Sequence, residues 1–254
     1  MTSLPVVKVV IEAPVTSFRY PHFLIGRQIT YDMPPPSTIY GHVASALGEL
    51  LPPQSFQFGY HFQFRSRASD LEHQHIISAG GLGFHHGGQK YPVSVQATIQ
   101  PHERDFLFQP RLTLYLTDLA LLNAFRNPMF CVVLGRSQDL AQIVSVEEQE
   151  LQQSPGAYFE GTLVPFTLRP YTARGATVLM PRWIEPPPQR RAHFERFITL
   201  NERVYAGNIE RRETINTGLL VSKNKELETC WTDPSTPLDH GVHRGVLLHS
   251  CAGS

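Results

Sequence analysis

Arg19, Arg27, Tyr31 and Ser37 gather just ahead of a helical pattern, and those residue types in that order suit the capture of a phosphate or another anion. The segment from Ser17 to Gly48 reads SFRYPHFLIGRQITYDMPPPSTIYGHVASALG. Pro34, Pro35 and Pro36 hold the chain extended, so the spacing predicts a helix that cannot begin before Ser37, with Ser37 as its N-cap. Ile39, Val43, Leu47 and Leu50 then recur at helical spacing, while Gly41, Ala44, Ser45 and Gly48 form a small-residue face open to close backbone approach. A helix opened in this way points free N–H groups at what precedes it, and the upstream arginines could join them. The plainer alternative is a capped helix on a sheet with surface arginines.

Other chemistries find less support. His73, His75, His85 and His86 invite a metal, yet no cysteine is near and a glycine-rich loop is a poor preorganised ligand set, so no metal or cofactor is expected. No P-loop, GxSxG or HExxH occurs. Acid–base cleavage of RNA needs groups flanking the 2′-hydroxyl and the leaving 5′-oxygen; His42 or His61 with Tyr31 or Tyr40 could supply them, but no residue is assigned a catalytic role.

The elements that would position these groups are legible from period and punctuation. The 254 residues, 41% apolar and 10% aromatic, fit a folded globular protein. The 22 basic and 22 acidic residues cancel, so any nucleic-acid site must be local. Only Lys8, Lys90, Lys223 and Lys225 are lysines, which leaves arginine, the bidentate phosphate binder, dominant among the cations. Cys131, Cys230 and Cys251 are scattered, which argues for a reducing compartment, and no apolar run marks secretion or a membrane span; a cytoplasmic protein is expected. Val6 to Ile11 predicts a first strand. Phe56, Phe58, Tyr60, Phe62 and Phe64 alternate with Gln57, Gly59, His61, Gln63 and Arg65, which puts five rings on one sheet face, as core rather than as a stacking platform. Ser78 to Gly88 carries too many glycines for a regular element and predicts a long mobile hairpin or flap. Leu112 to Leu116 predicts a strand, Asp118 a cap for a helix to about Arg126, and Met129 to Leu134 a buried strand ending at Gly135. That succession implies an α+β chain with a ferredoxin-like (RRM-like) unit over 1–150. Gln152 to Gly156 marks a boundary, 151–220 a smaller β-rich region with Pro186 to Arg191 as an extended basic link, and 221–254 a polar tail.

One string goes further. Ser17-Phe18-Arg19 with Pro21, Thr30-Tyr31, Pro34-Pro35-Pro36-Ser37, Gly41 and Ala46-Leu47-Gly48 resembles the N-terminal signature of the Cas-five family, within the RAMP superfamily. Phe130 to Ser137 (FCVVLGRS), followed by Gln138-Asp139-Leu140, is similar to that family's strand and turn ending in LGRS, and Phe106 to Leu116 to its middle strand. The resemblance spans about residues 4 to 146. It implies a type I CRISPR (Cascade) subunit that holds the 5′ handle of the CRISPR RNA, with a thumb insertion over about 66–103. The implied partners are the family-seven backbone subunit, the family-eight large subunit and, through the complex, target DNA. RNA contacts are expected at Ser17, Phe18, Arg19, Arg27, Tyr31, Ser37, Tyr40, Arg136 and Ser137. One branch of the family cuts repeat RNA without metal; this chain lacks that branch's adjacent Lys-His pair. A repeat endoribonuclease and a generic RRM-like RNA-binding protein stay as alternatives.

Overall fold

Strand Ser3–Glu12 (β1) organises the molecule because its β-branched run, Val6 to Ile11, is buried on both faces. The computed structural model describes residues 2–22, 26–80, 84–91, 94–172, 174–207 and 229–252. After β1 come Val15–Thr16 (β2), Arg27–Gln28 (β3) and helix Pro36–Leu47 (α1). Gln57–Gln63 (β4), Ser66–Gly80 (β5), Phe84–His86 (β6), Gln89–Tyr91 (β7), Ser94–Phe108 (β8) and Arg111–Leu116 (β9) follow, and then helix Leu121–Arg126 (α2). The second half holds Gln142–Ser154 (β10), Gly156–Phe159 (β11), Thr162–Pro165 (β12), a 3-10 turn at Phe166–Tyr171, Ala176–Ile184 (β13) and Ala192–Leu200 (β14). Val204–Gly207 (β15), Cys230–Asp233 (β16), Arg244–Gly245 (β17) and His249–Ser250 (β18) complete it. The class is α+β with the balance far toward β, 53% strand against 11% helix.

A nine-stranded sheet runs in the order β15-β11-β17-β16-β10-β1-β9-β4-β18. At its centre β10, β1, β9 and β4 are each antiparallel to the next. Val7, Val9 and Ile11 share a core with Ile39 and Val43 of α1 and Leu121 and Phe125 of α2, so both helices cover one face. The alternating aromatics sit in this core, with Phe56, Phe58, Tyr60 and Phe62 buried and Phe64 partly so. A separate sheet of order β12-β14-β13 packs against α1, and β5 and β8 form a ribbon paired residue by residue from Ser66↔Phe108 to Gly80↔Ser94.

Several local readings are corrected. Helix α1 starts one residue early: Pro35 is the N-cap and Pro36 stands at the first helical position, where its missing N–H costs nothing, so Ser37 is not the cap. Gly41 is exposed, with no atom within 4 Å of the place a Cβ would take, and Leu50 lies beyond the helix, 55% exposed. Met129 to Leu134 forms no strand. Met129 and Phe130 are exposed, and the segment folds back on itself through a Val133↔Leu140 bridge instead of joining the sheet. The place beside β1 belongs to β10, which pairs with it from Gln142 to Gln152 across one bulge and runs to Ser154, through the expected boundary. The glycine-rich segment is partly regular, since Ser78 to Gly80 lie in β5 and Phe84 to His86 in β6; backbone pairing alone suffices in such a ribbon. Its residues 81–83 fall outside the described ones. Pro186 to Arg191 closes the β13–β14 hairpin, with Glu185 N–H donating to Arg191 O at 2.9 Å, and is not a link between regions.

The largest correction concerns the expected tail, of which residues 229–252 are described. They are built into the sheet: β16 pairs with β10, β17 with β16 and β18 with β4. Two charged groups explain why. Lys8 is buried in β1 and needs a partner, and Asp233 supplies it at 2.8 Å while accepting from the Tyr115 hydroxyl at 2.7 Å. Burial alone would raise the Asp233 carboxyl; hydrogen bonds from Lys8, Ser235 and Tyr115 hold it below the ordinary carboxylate range. Gly59 makes room, because a Cβ there would meet Val246 Cγ1 at 2.6 Å and Leu247 O at 2.7 Å.

Burial pushes three imidazoles, His42, His61 and His249, down to about 4, helped at His61 by the Arg244 charge. Their native pKa lies below the unfolded value, so as pH falls through about 6.5 the unfolded chain takes up protons that the folded one refuses, and stability drops until about pH 4. Thermal unfolding at pH 5 is therefore expected to show a loss of roughly 1–2 kcal/mol per imidazole relative to pH 7.5. His249→Gln, which can still donate to Leu163 O, should flatten that slope; an unchanged slope would mean that His249 titrates normally.

Candidate nucleic-acid interface

Asp139 is the carboxylate around which the candidate site is built. It is 2% exposed, and its Oδ2 accepts from the backbone N–H of Ser17 at 3.2 Å, the backbone N–H of Arg136 at 3.2 Å and Arg136 Nε at 2.9 Å. Its Oδ1 accepts from Arg136 Nη2 at 2.7 Å. This two-pronged pairing is strong and directional, and it raises the Arg136 pKa further. It also joins the Ser17-Phe18-Arg19 segment to the Leu134-Gly135-Arg136-Ser137 turn. Gly135 sits at φ +94°, and a Cβ there would come within 2.6 Å of Ser17 O, so only glycine lets the turn lie against that segment. The Thr16 hydroxyl donates to Leu134 O alongside.

The rest of the segment is held as firmly. The Ser17 hydroxyl donates to Asp105 O at 2.8 Å, and the Phe18 N–H donates to Thr30 Oγ1 at 2.8 Å while its ring meets Phe62 edge-on at 5.6 Å. Arg19, between these anchors, is exposed, and its backbone bridges to Thr30. A recess of about 440 Å³ opens here, lined by Ser17, Phe18, Arg19, Ser37, Arg136 and Ser137. Three separated stretches of sequence therefore meet at one surface. Arg104 and Glu72, from the base of the β5–β8 ribbon, also line it. They form an ion pair, and Arg136 Nη1 reaches the same Glu72 at 3.2 Å, so two guanidiniums share one carboxylate. No motif pointed to Arg104; only the ribbon register, which pairs it with Asp70 and pairs Glu72 with His102, brings it here.

Three expected contacts lie elsewhere. Arg27 turns to Asp105, with its Nε 3.1 Å from Oδ1. Tyr31 is buried, stacks on Tyr20 at 3.7 Å and donates to Leu179 O at 2.7 Å; burial pushes its phenol far above the ordinary range. Tyr40 is buried and donates to Leu51 O at 2.6 Å. The helix opening contributes less than its sequence implied. Pro36 has no N–H, and the amides of Thr38 and Ile39 donate to Pro35 O, so of these first residues only Ser37 has an amide not committed there. A larger recess, about 740 Å³, adjoins Pro14 and Gln109 and holds none of the expected residues; its Arg111 is paired with Glu12. Among the described residues, no group of three or more His, Cys, Asp or Glu could hold a metal.

The family model described as CRISPR-associated protein (Cas_Cas5) matches residues 6–180, more than half of the chain. The chain belongs to that family. The matched region contains both halves of the Asp139 junction and the whole recess except the later part of the β13–β14 hairpin. No curated protein matches the chain. Among solved structures, a chain of a CRISPR RNA-guided surveillance complex is 19% identical with a TM-score of 0.41, covering 56% of this chain and 61% of that one. This Cas5 chain thus spans about six tenths of the length of that relative. A crystal structure of a Cas protein is 14% identical (TM-score 0.32, 79% of this chain and 98% of that one). A cryo-EM structure of a Type III-B Cmr-beta complex bound to cognate target RNA and AMPPnP is 11% identical (TM-score 0.38, 77% and 85%). Among the described residues no helix is long and apolar enough to cross a membrane.

Asp139→Ala leaves the buried Ser17 amide and Arg136 without their acceptor, and a loss of about 3 kcal/mol is expected in denaturant unfolding. Arg19→Ala, at an exposed position, is expected to stay within about 0.5 kcal/mol of the parent. Equal losses in the two variants would show that Arg19 also holds the fold together.

Proposed function

We propose that this Cas5 chain is a non-catalytic subunit of a CRISPR effector complex that binds and caps the 5′ handle of the CRISPR RNA. The observation that carries this reading is the recess itself, where Arg19, Arg104 and Arg136 converge around a single lining carboxylate, Glu72. The whole chain has no net charge, so this local excess of cations is what an RNA backbone would find. Among the described residues Arg19 is the free hand of the group, since Arg104 and Arg136 are held by Glu72 and Asp139. The strand order β10-β1-β9-β4, with both helices on one face, supports a ferredoxin-like unit, with β10 rather than the 129–134 segment as its last strand. The β5–β8 ribbon, rooted beside the recess, fits the thumb that would follow the RNA outward. A family-seven backbone subunit and a family-eight large subunit are the proposed neighbours.

The repeat-cleaving alternative needs a reachable acid and base. His42, Tyr31 and Tyr40 are buried in the core, and His61 is 8% exposed. None lines the recess. This favours capping over cleavage.

Incubation in EDTA with cognate repeat RNA labelled at its 5′ end tests both. Intact RNA, protected over the 5′ handle once the backbone subunit is added, is the expected result, and a discrete metal-independent cut would replace the capping role with processing. Arg19→Ala in the assembled complex is expected to lose guide-RNA retention with no change in Tm; retention equal to the parent's would remove Arg19 from the site.

A further inference from the structure

The wall of the recess facing Arg19 and Arg136 is apolar. It comes from the β13–β14 hairpin, which contributes Pro181, Ile184, Ala192 and Phe194. Strand alternation would send Pro181 and Ile184, three residues apart, to opposite faces. The ladder, however, pairs Pro181 with Phe194 and then Trp183 with His193, which leaves Arg182 as an extra residue. That bulge re-phases β13 so that Pro181 and Ile184 both reach the recess, beside Ala192 and Phe194, which are two apart on the other strand. Trp183 and His193 stack on each other at 5.3 Å, and Arg182 Nη1 bonds Glu195 at 2.9 Å, which stiffens the hairpin. The product is an exposed aromatic surface: Phe194 is 37% and Ile184 36% exposed, and the His22 ring, 5.4 Å from Phe194 and tilted 31°, extends it.

An isolated exposed phenylalanine needs no explanation. This one shares a recess with three guanidiniums, and cations opposite an apolar ring are the two halves of a nucleotide's needs: phosphate contact on one side, a stacking surface on the other. We propose that Phe194, extended by His22 and Ile184, is a stacking site for one unpaired nucleobase of an RNA whose backbone runs past Arg19. The site is a binding site for a base, indifferent to a bare phosphate, and it rests on the RNA-capping reading above. Its role is stacking alone, with no chemical step. Stacking on a ring tolerates any base, so Phe194 reads the presence of a base at that position, and any preference for which base would come from neighbours.

The test uses the full chain and a short single-stranded RNA from the 5′ end of its repeat, with binding followed by fluorescence anisotropy over a salt series. Phe194→Ala is expected to weaken binding roughly five- to a hundredfold, the range of one lost stack, without changing the salt slope. Phe194→Trp should restore it. Arg19→Ala should instead lower the salt slope by about one, the signature of a lost phosphate contact. A set of RNAs, each with one abasic nucleotide, removes the need for any variant to fold. At one position the abasic RNA should bind the parent as weakly as the intact RNA binds Phe194→Ala, and the two losses should not add. Parent-like binding by Phe194→Ala, or full additivity at every abasic position, would overturn the stacking site. If Arg19→Ala still weakened binding in that case, the capping role would stand without it; if Arg19→Ala also had no effect, both would fall.

Discussion

The buried carboxylate of Asp139 is the constraint on which the candidate site depends. An unpaired carboxylate at that depth would be costly, and four hydrogen bonds from Ser17 and Arg136 answer it. The same bonds fix two loops that have no secondary structure of their own. Without them Ser17 to Arg19 would be a strand-to-strand connection and Gly135 to Gln138 an ordinary surface turn. With them, Arg19 stands on a rigid backbone beside Arg136, and a cationic surface is assembled from segments 122 residues apart. Rigid placement matters more than the count of charges, since a preorganised donor loses little freedom when a ligand arrives.

A second buried pair has the corresponding role on the other side of the sheet. Lys8 lies in the buried run of β1, where a lone ammonium could not remain, and Asp233 with Tyr115 and Ser235 completes its surroundings. The C-terminal segment is thus drawn back over β1 and β10, which is why the sheet has two covered faces rather than one. The face toward α1 and α2 is mostly apolar, with the Tyr60 hydroxyl bonded to Pro34 O, while this one is organised around a charge network.

Charge distribution reconciles a neutral chain with an anionic ligand. Outside the recess, Arg111, Arg174, Arg182 and Arg203 are engaged by carboxylates of the same chain. Such arginines hold structure, and their field is largely cancelled nearby. In the recess three guanidiniums, Arg19, Arg104 and Arg136, meet two carboxylates, Glu72 and Asp139, so affinity there is local, with Arg19 the exposed contributor.

Much of this was legible in the chain. The β-branched run of β1, the period-two aromatics of β4 and the proline-led entry to α1 report burial and backbone restriction directly, because those properties act over a few residues. Ser17-Phe18-Arg19 and Leu134-Gly135-Arg136-Ser137 were visible as strings, and six of the nine expected contact residues line one recess. What tertiary structure decided was partnership. Tyr31, Tyr40 and Arg27 carry the right chemistry, yet Leu179 O, Leu51 O and Asp105 claim them, and no local pattern announces a distant acceptor. The polar look of residues 229–252 concealed a partner for Lys8, and the apolar look of Met129 to Leu134 concealed a turn folded on itself. Arg104 and the Phe194 wall entered only through strand register and a single bulge, which decide which of two faces a side chain occupies and leave the composition unchanged.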